Sequence, residues 1–336
     1  MTAPTIQWVD GSVHLIDQTL LPHTEEILEI TSPAEMVNAI ERLAIRGAPA
    51  IGVAGAYGVA LAAVSVGIDT TEFEEAVDSL RNARPTAVNL ARMVDRTAAL
   101  RANGPERILE EAHAIREEEL QASVAMGDLG ADLILDLVGD RPIRAMTICN
   151  TGALATVERG TALSVIQTLH ERDRLQEALP LETRPLLQGS RLTTWELQKM
   201  DAPFRLLVDS AGPFLLARGD VDVVLTGADR VAANGDTANK IGTFSIALGA
   251  AHAGVPFIVV APESTVDANT ATGSEIEIED RGPSEVVGFG GTLTAPSGTP
   301  AINPAFDVTP VDLITALVTD GRVIRYDRGE GPQVPA

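Results

Sequence analysis

The spacing of hydrophobic and polar positions changes character near residue 140. From Ile6 to Leu21 the two classes alternate roughly as they do in strands, with Asp10-Gly11 as a hairpin-turn signal. Ser32-Pro33-Ala34-Glu35 reads as a helix start, with Ser32 as N-cap, Pro33 at the first helical position and Glu35 closing a capping box. That helix is expected to run to about Ile45, where Arg46-Gly47-Ala48-Pro49 interrupts it. Next comes the uncharged run Ile51–Gly67. It is slightly short for a membrane span and rich in Gly and Ala, which predicts a buried, tightly packed helix. Further helices are expected over Thr71–Ala83, Val88–Ala102 and Glu106–Leu137.

Beyond that point apolar runs of strand length alternate with helical patterns. Strands are expected at Ile143–Ile148, Phe204–Val208, Val221–Thr226 and Phe257–Ala261, and helices at Thr161–Leu169, Asn239–Ala253 and Pro310–Leu317. This alternation implies an α/β fold with a mostly parallel sheet and helices on both faces. A chain of 336 residues suits two domains. The expected division is a smaller N-terminal domain over 1–140, a β-hairpin plus helices, and a sheet-bearing domain over 141–325. Residues 326–336, polar with two prolines, are expected to form a loose tail.

Charge narrows the function classes. There are 47 acidic and 25 basic residues, a formal net charge of −22, and only Lys199 and Lys240 are lysines. Such a surface repels nucleic acid and anionic membranes and suits a protein kept soluble at high salt, a halophile-like pattern. The N-terminus has neither the basic nor the apolar region of a signal peptide, so the cytoplasm is the expected location. Cys149 is the single cysteine, which excludes an intrachain disulfide and any Cys-x-x-Cys metal site. The five histidines form no H-x-x-x-H pair, and no structural zinc is expected. There is no phosphate-loop pattern and no G-x-G-x-x-G beyond the superficial Gly288-Phe289-Gly290-Gly291, so no nucleotide cofactor is indicated.

In open parallel sheets ligands bind beyond the carboxyl ends of the strands. The residues there are Cys149-Asn150-Thr151-Gly152, Asp209-Ser210-Ala211-Gly212, Gly227-Ala228-Asp229-Arg230 and Pro262-Glu263-Ser264-Thr265. A lone cysteine is often a small buried hydrophobe, and Asp229 could equally cap a helix or pair with Arg230. Position favours function for both, since backbone N–H groups or a nearby cation at a strand end can activate a thiol. Lys240 stands out in a chain that otherwise uses arginine. At the expected start of a helix, its compact ammonium beside helix N–H groups would suit a phosphate. Arg46 and Arg84 each lie at a helix boundary, where a guanidinium can read phosphate bidentately.

Taken together these residues resemble the methylthioribose-1-phosphate isomerase family. The matching segments are Arg46-Gly47-Ala48-Pro49-Ala50-Ile51-Gly52, Arg84-Pro85-Thr86-Ala87-Val88-Asn89-Leu90, Cys149-Asn150-Thr151-Gly152, Glu182-Thr183-Arg184-Pro185 with Leu187-Gln188-Gly189, and Gly227-Ala228-Asp229-Arg230. Asn234-Gly235-Asp236, Asn239-Lys240-Ile241-Gly242-Thr243 and Asn303-Pro304-Ala305-Phe306-Asp307-Val308-Thr309-Pro310 extend the resemblance, which covers roughly Ile6 to Leu317. The superfamily also holds ribose-1,5-bisphosphate isomerases and regulatory subunits of translation initiation factor 2B. The resemblance implies a Rossmann-like C-terminal domain, a homodimer, a sugar-phosphate substrate and no cofactor or metal. It implies that Asp229 is the acid/base, that Cys149 assists at the reacting carbons, and that Arg46, Gly47, Ala48, Arg84, Gln188, Asn239 and Lys240 contact substrate. The sequence departs from the family at Glu158-Arg159, over His170–Leu179, and at Leu181, where cysteine is frequent.

The anomeric oxygen of such a substrate carries phosphate, so the ring cannot open to a free aldehyde. An acid must protonate the ring oxygen. The expectation is that Asp229 does so, kept neutral by poor solvation, while the C2 hydrogen leaves either as a proton to Cys149 or as a hydride to C1.

Overall fold

The structure is a computed structural model that describes residues 4–84 and 87–332. It divides into two compact units, residues 1–123 with 152–160, and residues 124–151 with 161–336. The boundary therefore falls at Ser123/Val124 rather than near residue 140. It lies inside a long helix, and the chain returns to the first unit for a short excursion after residue 151.

In the first unit β1 (Ile6–Val9), β2 (Ser12–Ile16) and β3 (Ile27–Ile30) form an antiparallel meander. Asp10 and Gly11 both take positive φ, which is what a two-residue hairpin turn between twisted strands needs. Five helices come next: α1 (Pro33–Glu41), α2 (Ala48–Ser65), α3 (Thr71–Asn82), α4 (Val88–Ala98) and α5 (Pro105–Val138), the last passing into the second unit at residue 124. The capping box at α1 forms as expected, with Glu35 N–H donating to Ser32 Oγ and Ser32 N–H donating to Glu35 Oε2. The helix stops at Glu41 and not at Ile45, because Leu43 turns left-handed. Helix α2 is the core of this unit, buried without interruption from Ala50 to Ala63. It is long and apolar enough to cross a membrane by composition, but its apolar surface is covered by protein. Small residues let neighbours approach closely: a Cβ at Gly55 would stand 2.6 Å from Leu90 of α4, and one at Gly58 2.5 Å from Leu80 of α3.

The second unit is built on β4 (Ile143–Thr147), α6 (Ala162–Glu171), β5 (Leu175–Pro180), α7 (Thr194–Lys199), α8 (Ala211–Ala217), β6 (Val223–Thr226), β7 (Arg230–Ala232), β8 (Thr237–Lys240), α9 (Thr243–Ala253) and β9 (Phe257–Val260). The short β10 (Val266–Asp267), α10 (Ser284–Val287) and hairpin strands β11 (Gly288–Phe289) and β12 (Thr292–Leu293) precede β13 (Phe306–Thr309), β14 (Ala316–Val318) and β15 (Val323–Arg325). The main sheet has six strands in the order β15-β14-β9-β6-β4-β5, all parallel except the β14–β15 pair. Met146, Val224, Phe257, Val259 and Leu317 from its strands share one apolar core with Leu216 of α8 and Ile246 of α9. A second sheet, β10-β7-β8-β13, stands beyond the carboxyl end of β6 in chain order.

Several expected elements differ. Phe204–Val208 is not a strand but makes two isolated bridges, Phe204 to Ala178 and Leu207 to Leu181. The edge strand is instead β5, which the polar Gln176 and Glu177 disguise in the sequence. Pro310–Leu317 is not a helix: a single 3-10 turn over Val311–Leu313 leads into β14, an interior strand flanked on both sides. Helix α9 begins at Thr243, because Asn239 and Lys240 belong to β8 and Gly242 turns left-handed. The tail is packed at its start, where Tyr326–Arg328 forms a 3-10 turn and a Cβ at Gly235 would stand 3.0 Å from the Tyr326 ring. Its last residues, 333–336, lie outside the described residues.

Candidate active site

In the first unit Arg46, Gly47 and Ala48 form the entry to α2. Gly47 has a φ of +95°, and a Cβ there would stand 2.3 Å from the backbone oxygen of Ala155, so only glycine fits. Its carbonyl accepts the N–H of Ile51, and the Ala48 carbonyl accepts from the side chain of Asn89 at 2.7 Å. The turn is thus pinned by α4 on one side and by the loop through Ala155 on the other. That loop begins shortly after Cys149 in sequence. The departure at Glu158 has a local explanation, since its carboxylate pairs with Arg116 at 2.5 Å. Arg84 lies just after α3, and its carbonyl accepts the N–H of Ala87; Pro85 and Thr86 of the same motif lie outside the described residues.

In the second unit the parallel strands deliver their carboxyl ends to one edge. Cys149 lies just after β4, is half-buried, and has a φ of +66°. A non-glycine residue in this region is uncommon and clusters at functional sites. Its backbone is held on both sides: the N–H donates to Thr183 Oγ1 at 2.9 Å, and the carbonyl accepts from Thr193 Oγ1 at 2.6 Å. The next side chain, Asn150, donates to the buried carboxylate of Glu196 at 2.6 Å.

Asp229 lies just after β6, the neighbour of β4, and its N–H donates to the Ala238 carbonyl, beside Asn239. The loops that carry the two residues touch: a Cβ at Gly227 would stand 3.0 Å from Thr151, and one at Gly242 would stand 3.1 Å from Ile148. The carboxyl-edge loops after β4, β6 and β8 therefore converge. Asp229 is exposed to solvent. The acid role expected of it calls for a poorly solvated carboxyl, and the packing here leaves the residue exposed.

Asn239 is buried and donates to Thr243 Oγ1 at 3.0 Å. Lys240 Nζ donates to the Ala305 carbonyl at 3.0 Å and lies 4.8 Å from the centre of the Phe306 ring. It does not stand among the free N–H groups of a helix start. Two at the start of α9 are taken by Asp307, whose carboxylate accepts from Gly242 at 2.7 Å and Phe244 at 3.1 Å. Burial pushes the Asp307 carboxyl above the usual range, against the pull of these N–H groups and of Lys240. Gln188 begins the tight turn Gly189–Thr193, and a Cβ at Gly189 would stand 1.6 Å from the Leu181 carbonyl oxygen. The Oε1 atom of Gln188 is buried and accepts no hydrogen bond among the described residues.

A cavity of about 130 Å³ opens beside these groups, lined by Ile148, Leu181, Asp209, Ser210, Gly242 and Ser245. Leu181, where cysteine is frequent in the family, forms part of its wall. Among the described residues no cluster of His, Cys, Asp and Glu has the makings of a metal site. Sequence reasoning missed Thr183 and Thr193 as partners of the Cys149 backbone. The Glu182-Thr183-Arg184-Pro185 motif is a signal for the first, whereas nothing in the sequence singles out the second.

Residues 44–325 match the model of the initiation factor 2 subunit family. A methylthioribose-1-phosphate isomerase of Anaeromyxobacter sp. is 49% identical over 93% of this chain and 91% of its own length. A probable bifunctional methylthioribose-1-phosphate isomerase/methylthioribulose-1-phosphate dehydratase of Nocardia farcinica is 48% identical over 95% of this chain, which spans 59% of that longer protein. Among solved structures, the 5-methylthioribose 1-phosphate isomerase of Pyrococcus horikoshii OT3 superposes with a TM-score of 0.90 at 39% identity, covering 96% of this chain and 93% of that one. The translation initiation factor eIF-2B subunit delta of A. fulgidus does so with a TM-score of 0.87 at 39% identity, covering 96% of each. The chain belongs to the initiation factor 2 subunit family, as a relative of its methylthioribose-1-phosphate isomerases.

Proposed function

We propose that this protein isomerises 5-methylthioribose 1-phosphate to 5-methylthioribulose 1-phosphate, a step of methionine salvage, with Cys149 and Asp229 as its catalytic pair. The observation that carries the reading is the convergence of the loops after β4 and β6, with Cys149 held in a left-handed conformation at the centre of a hydrogen-bonded frame. A purely regulatory member would have no use for a strained thiol there.

In this reading Asp229 gives its proton to the ring oxygen, the C1–ring oxygen bond breaks, and C1 becomes cationic. The C2 hydrogen leaves as a proton to the Cys149 thiolate or moves with its electron pair to C1. In the first route the Cys149 thiol returns that proton to C1 of the C1–C2 enol, and in both the C2 hydroxyl gives its proton to the Asp229 carboxylate as the ketone forms. Atoms balance without an added reductant or oxidant. The positive groups Arg46, Arg84 and Lys240 are assigned to holding the phosphate or stabilising charge nearby, and Gly47, Ala48 and Asn239 to substrate contact. The buried Oε1 of Gln188 supports a role in binding: an unpaired buried acceptor costs about 1–3 kcal/mol, which a sugar hydroxyl would offset. No nucleotide, metal or organic cofactor enters the scheme. We place the enzyme in the cytoplasm as a homodimer that binds neither nucleic acid nor membrane. The exposed Phe214, Phe244 and Leu248 on the packed pair α8 and α9 supply apolar surface for a second copy.

The test is a substrate pair followed by NMR in high-potassium buffer. Ketose should form from 5-methylthioribose 1-phosphate, with ribose 1,5-bisphosphate turned over poorly. Preference for the bisphosphate would assign the same site to nucleotide salvage, and no turnover of either by folded protein would overturn the reading.

A further inference from the structure

We infer that Asp209 is a positioning residue for the reaction: its carboxylate fixes Thr183, and Thr183 in turn fixes the backbone of Cys149. The inference rests on the catalytic role proposed for Cys149. Asp209 comes just after the bridge segment at Leu207, and both its carboxylate oxygens are engaged by consecutive backbone groups. Thr183 N–H donates to Oδ1 at 2.8 Å and Arg184 N–H donates to Oδ2 at 2.7 Å. Thr183 has a φ of +65° and is fully buried. A β-branched residue adopts that conformation only where its surroundings impose it. The carboxylate is the group that holds it there, since both adjacent N–H groups, of Thr183 and Arg184, end on its two oxygens.

The bend has a consequence one strand away. It presents Thr183 Oγ1 to the N–H of Cys149 at 2.9 Å, while the same hydroxyl donates to the Leu181 carbonyl at 2.9 Å. The hydroxyl's one proton is committed to Leu181, so it can meet Cys149 only as an acceptor. Cys149 is itself left-handed, and this bond holds the N-terminal side of its peptide. The C-terminal side is fixed by Thr193. Gly189 packs on the Leu181 carbonyl and locks the same corner from below, with a Cβ there 3.0 Å from Thr183 Oγ1. Asp209 also lines the cavity beside Ile148, the residue before Cys149. Its two oxygens are nevertheless occupied by backbone, which makes it a support and not an acid or base.

Asparagine in place of Asp209 offers one acceptor and turns an N–H₂ group toward the second N–H, so the clamp loses half its hold. Because Cys149 is the single cysteine, alkylation by iodoacetamide followed by mass reports on this thiol alone. The experiment compares Asp209→Asn, Thr183→Ala and Thr183→Ser in kcat, KM and alkylation rate. Asp209→Asn and Thr183→Ala should lower kcat about 10- to 100-fold with KM within about twofold, the signature of misplaced reacting groups. Both should shift the alkylation rate by about threefold or more, because exposure and activation of the thiol set that rate. Thr183→Ser keeps the hydroxyl and should stay near wild type in all three. Wild-type kcat and alkylation in folded Asp209→Asn, or equal losses in Thr183→Ala and Thr183→Ser, would overturn the inference. If Asp209→Asn does not fold, the Thr183 pair decides. Full turnover by Cys149→Ala would instead remove the thiol from the reaction, a failure distinct from an unchanged alkylation rate in Asp209→Asn.

Discussion

Three residues after parallel strands take a backbone conformation their side chains disfavour: Cys149, Thr183 and Leu187 all have positive φ without being glycine. The positions of Cys149 and Asp229 at strand ends are legible in the sequence, because a sheet of this class exposes the residues just past each strand. The left-handed turns are not legible, since a threonine at φ +65° contradicts the preference from which a sequence is read. The solvation of Asp229 is hidden for a related reason, as burial depends on the groups that pack over a loop and not on the loop's own residues. Gly189 makes the steric requirement testable. A methyl group there would fall 1.6 Å from the Leu181 carbonyl oxygen, an overlap that only a backbone shift can relieve. Gly189→Ala should lower stability by about 3 kcal/mol, measured by urea unfolding, and should abolish turnover even where it folds. A stable, active variant would mean that the corner is not rigid.

Among the elements, long periodic helices such as α3 and α5 are readable to within a residue or two, and the capping box at Ser32 and Glu35 forms as written. Short strands are not. The edge strand β5 carries polar residues, β14 comes after a proline that mimics a helix start, and Asn239-Lys240 joins β8 because its pairing with β13 outweighs local helix propensity. At the opposite, amino end of the main sheet, Asp222 holds β4 to β6. Its carboxylate accepts from the Arg144 backbone and from the guanidinium groups of Arg144 and Arg141. Burial alone would raise its pKa, but these partners hold it down at about 2 from an ordinary 3.8. The unfolded chain therefore binds the proton first as pH falls. The stabilisation is full above about 4 and is lost as pH drops toward about 2. Thermal melts between about pH 2 and 6 should show this steep acid limb, and Asp222→Asn should flatten it while lowering stability at the upper end of that range. An unchanged acid limb in the variant would assign the acid sensitivity to other carboxylates.

At the scale of the whole molecule, charge is the dominant feature. A net −22 with two lysines among 25 basic residues gives a surface that repels itself at low ionic strength. Many of its arginines are paired on the exterior, as Arg96 is with Glu111 and Glu118 and Arg172 with Asp128 and Asp132, but the acids outnumber them. Melting temperature should rise as KCl goes from about 0.1 M to 2 M, with most of the gain in the range where screening shortens the Debye length from about 10 Å to a few Å. Light scattering over the same series should give the mass of a dimer. A flat salt response would remove the halophilic reading, and a monomer at every salt concentration would remove the dimer.

One comparison bears on the catalytic pair more than any other: wild type beside Asp229→Asn on 5-methylthioribose 1-phosphate, with ketose formation followed by NMR and substrate affinity measured separately. Ketose is expected from the wild type, and a loss of about 100-fold or more in kcat from the variant, with binding retained, because a positioned acid supplies a factor of that size. Comparable rates for the two proteins would contradict the assignment of Asp229 as the acid and, with it, the catalytic pair.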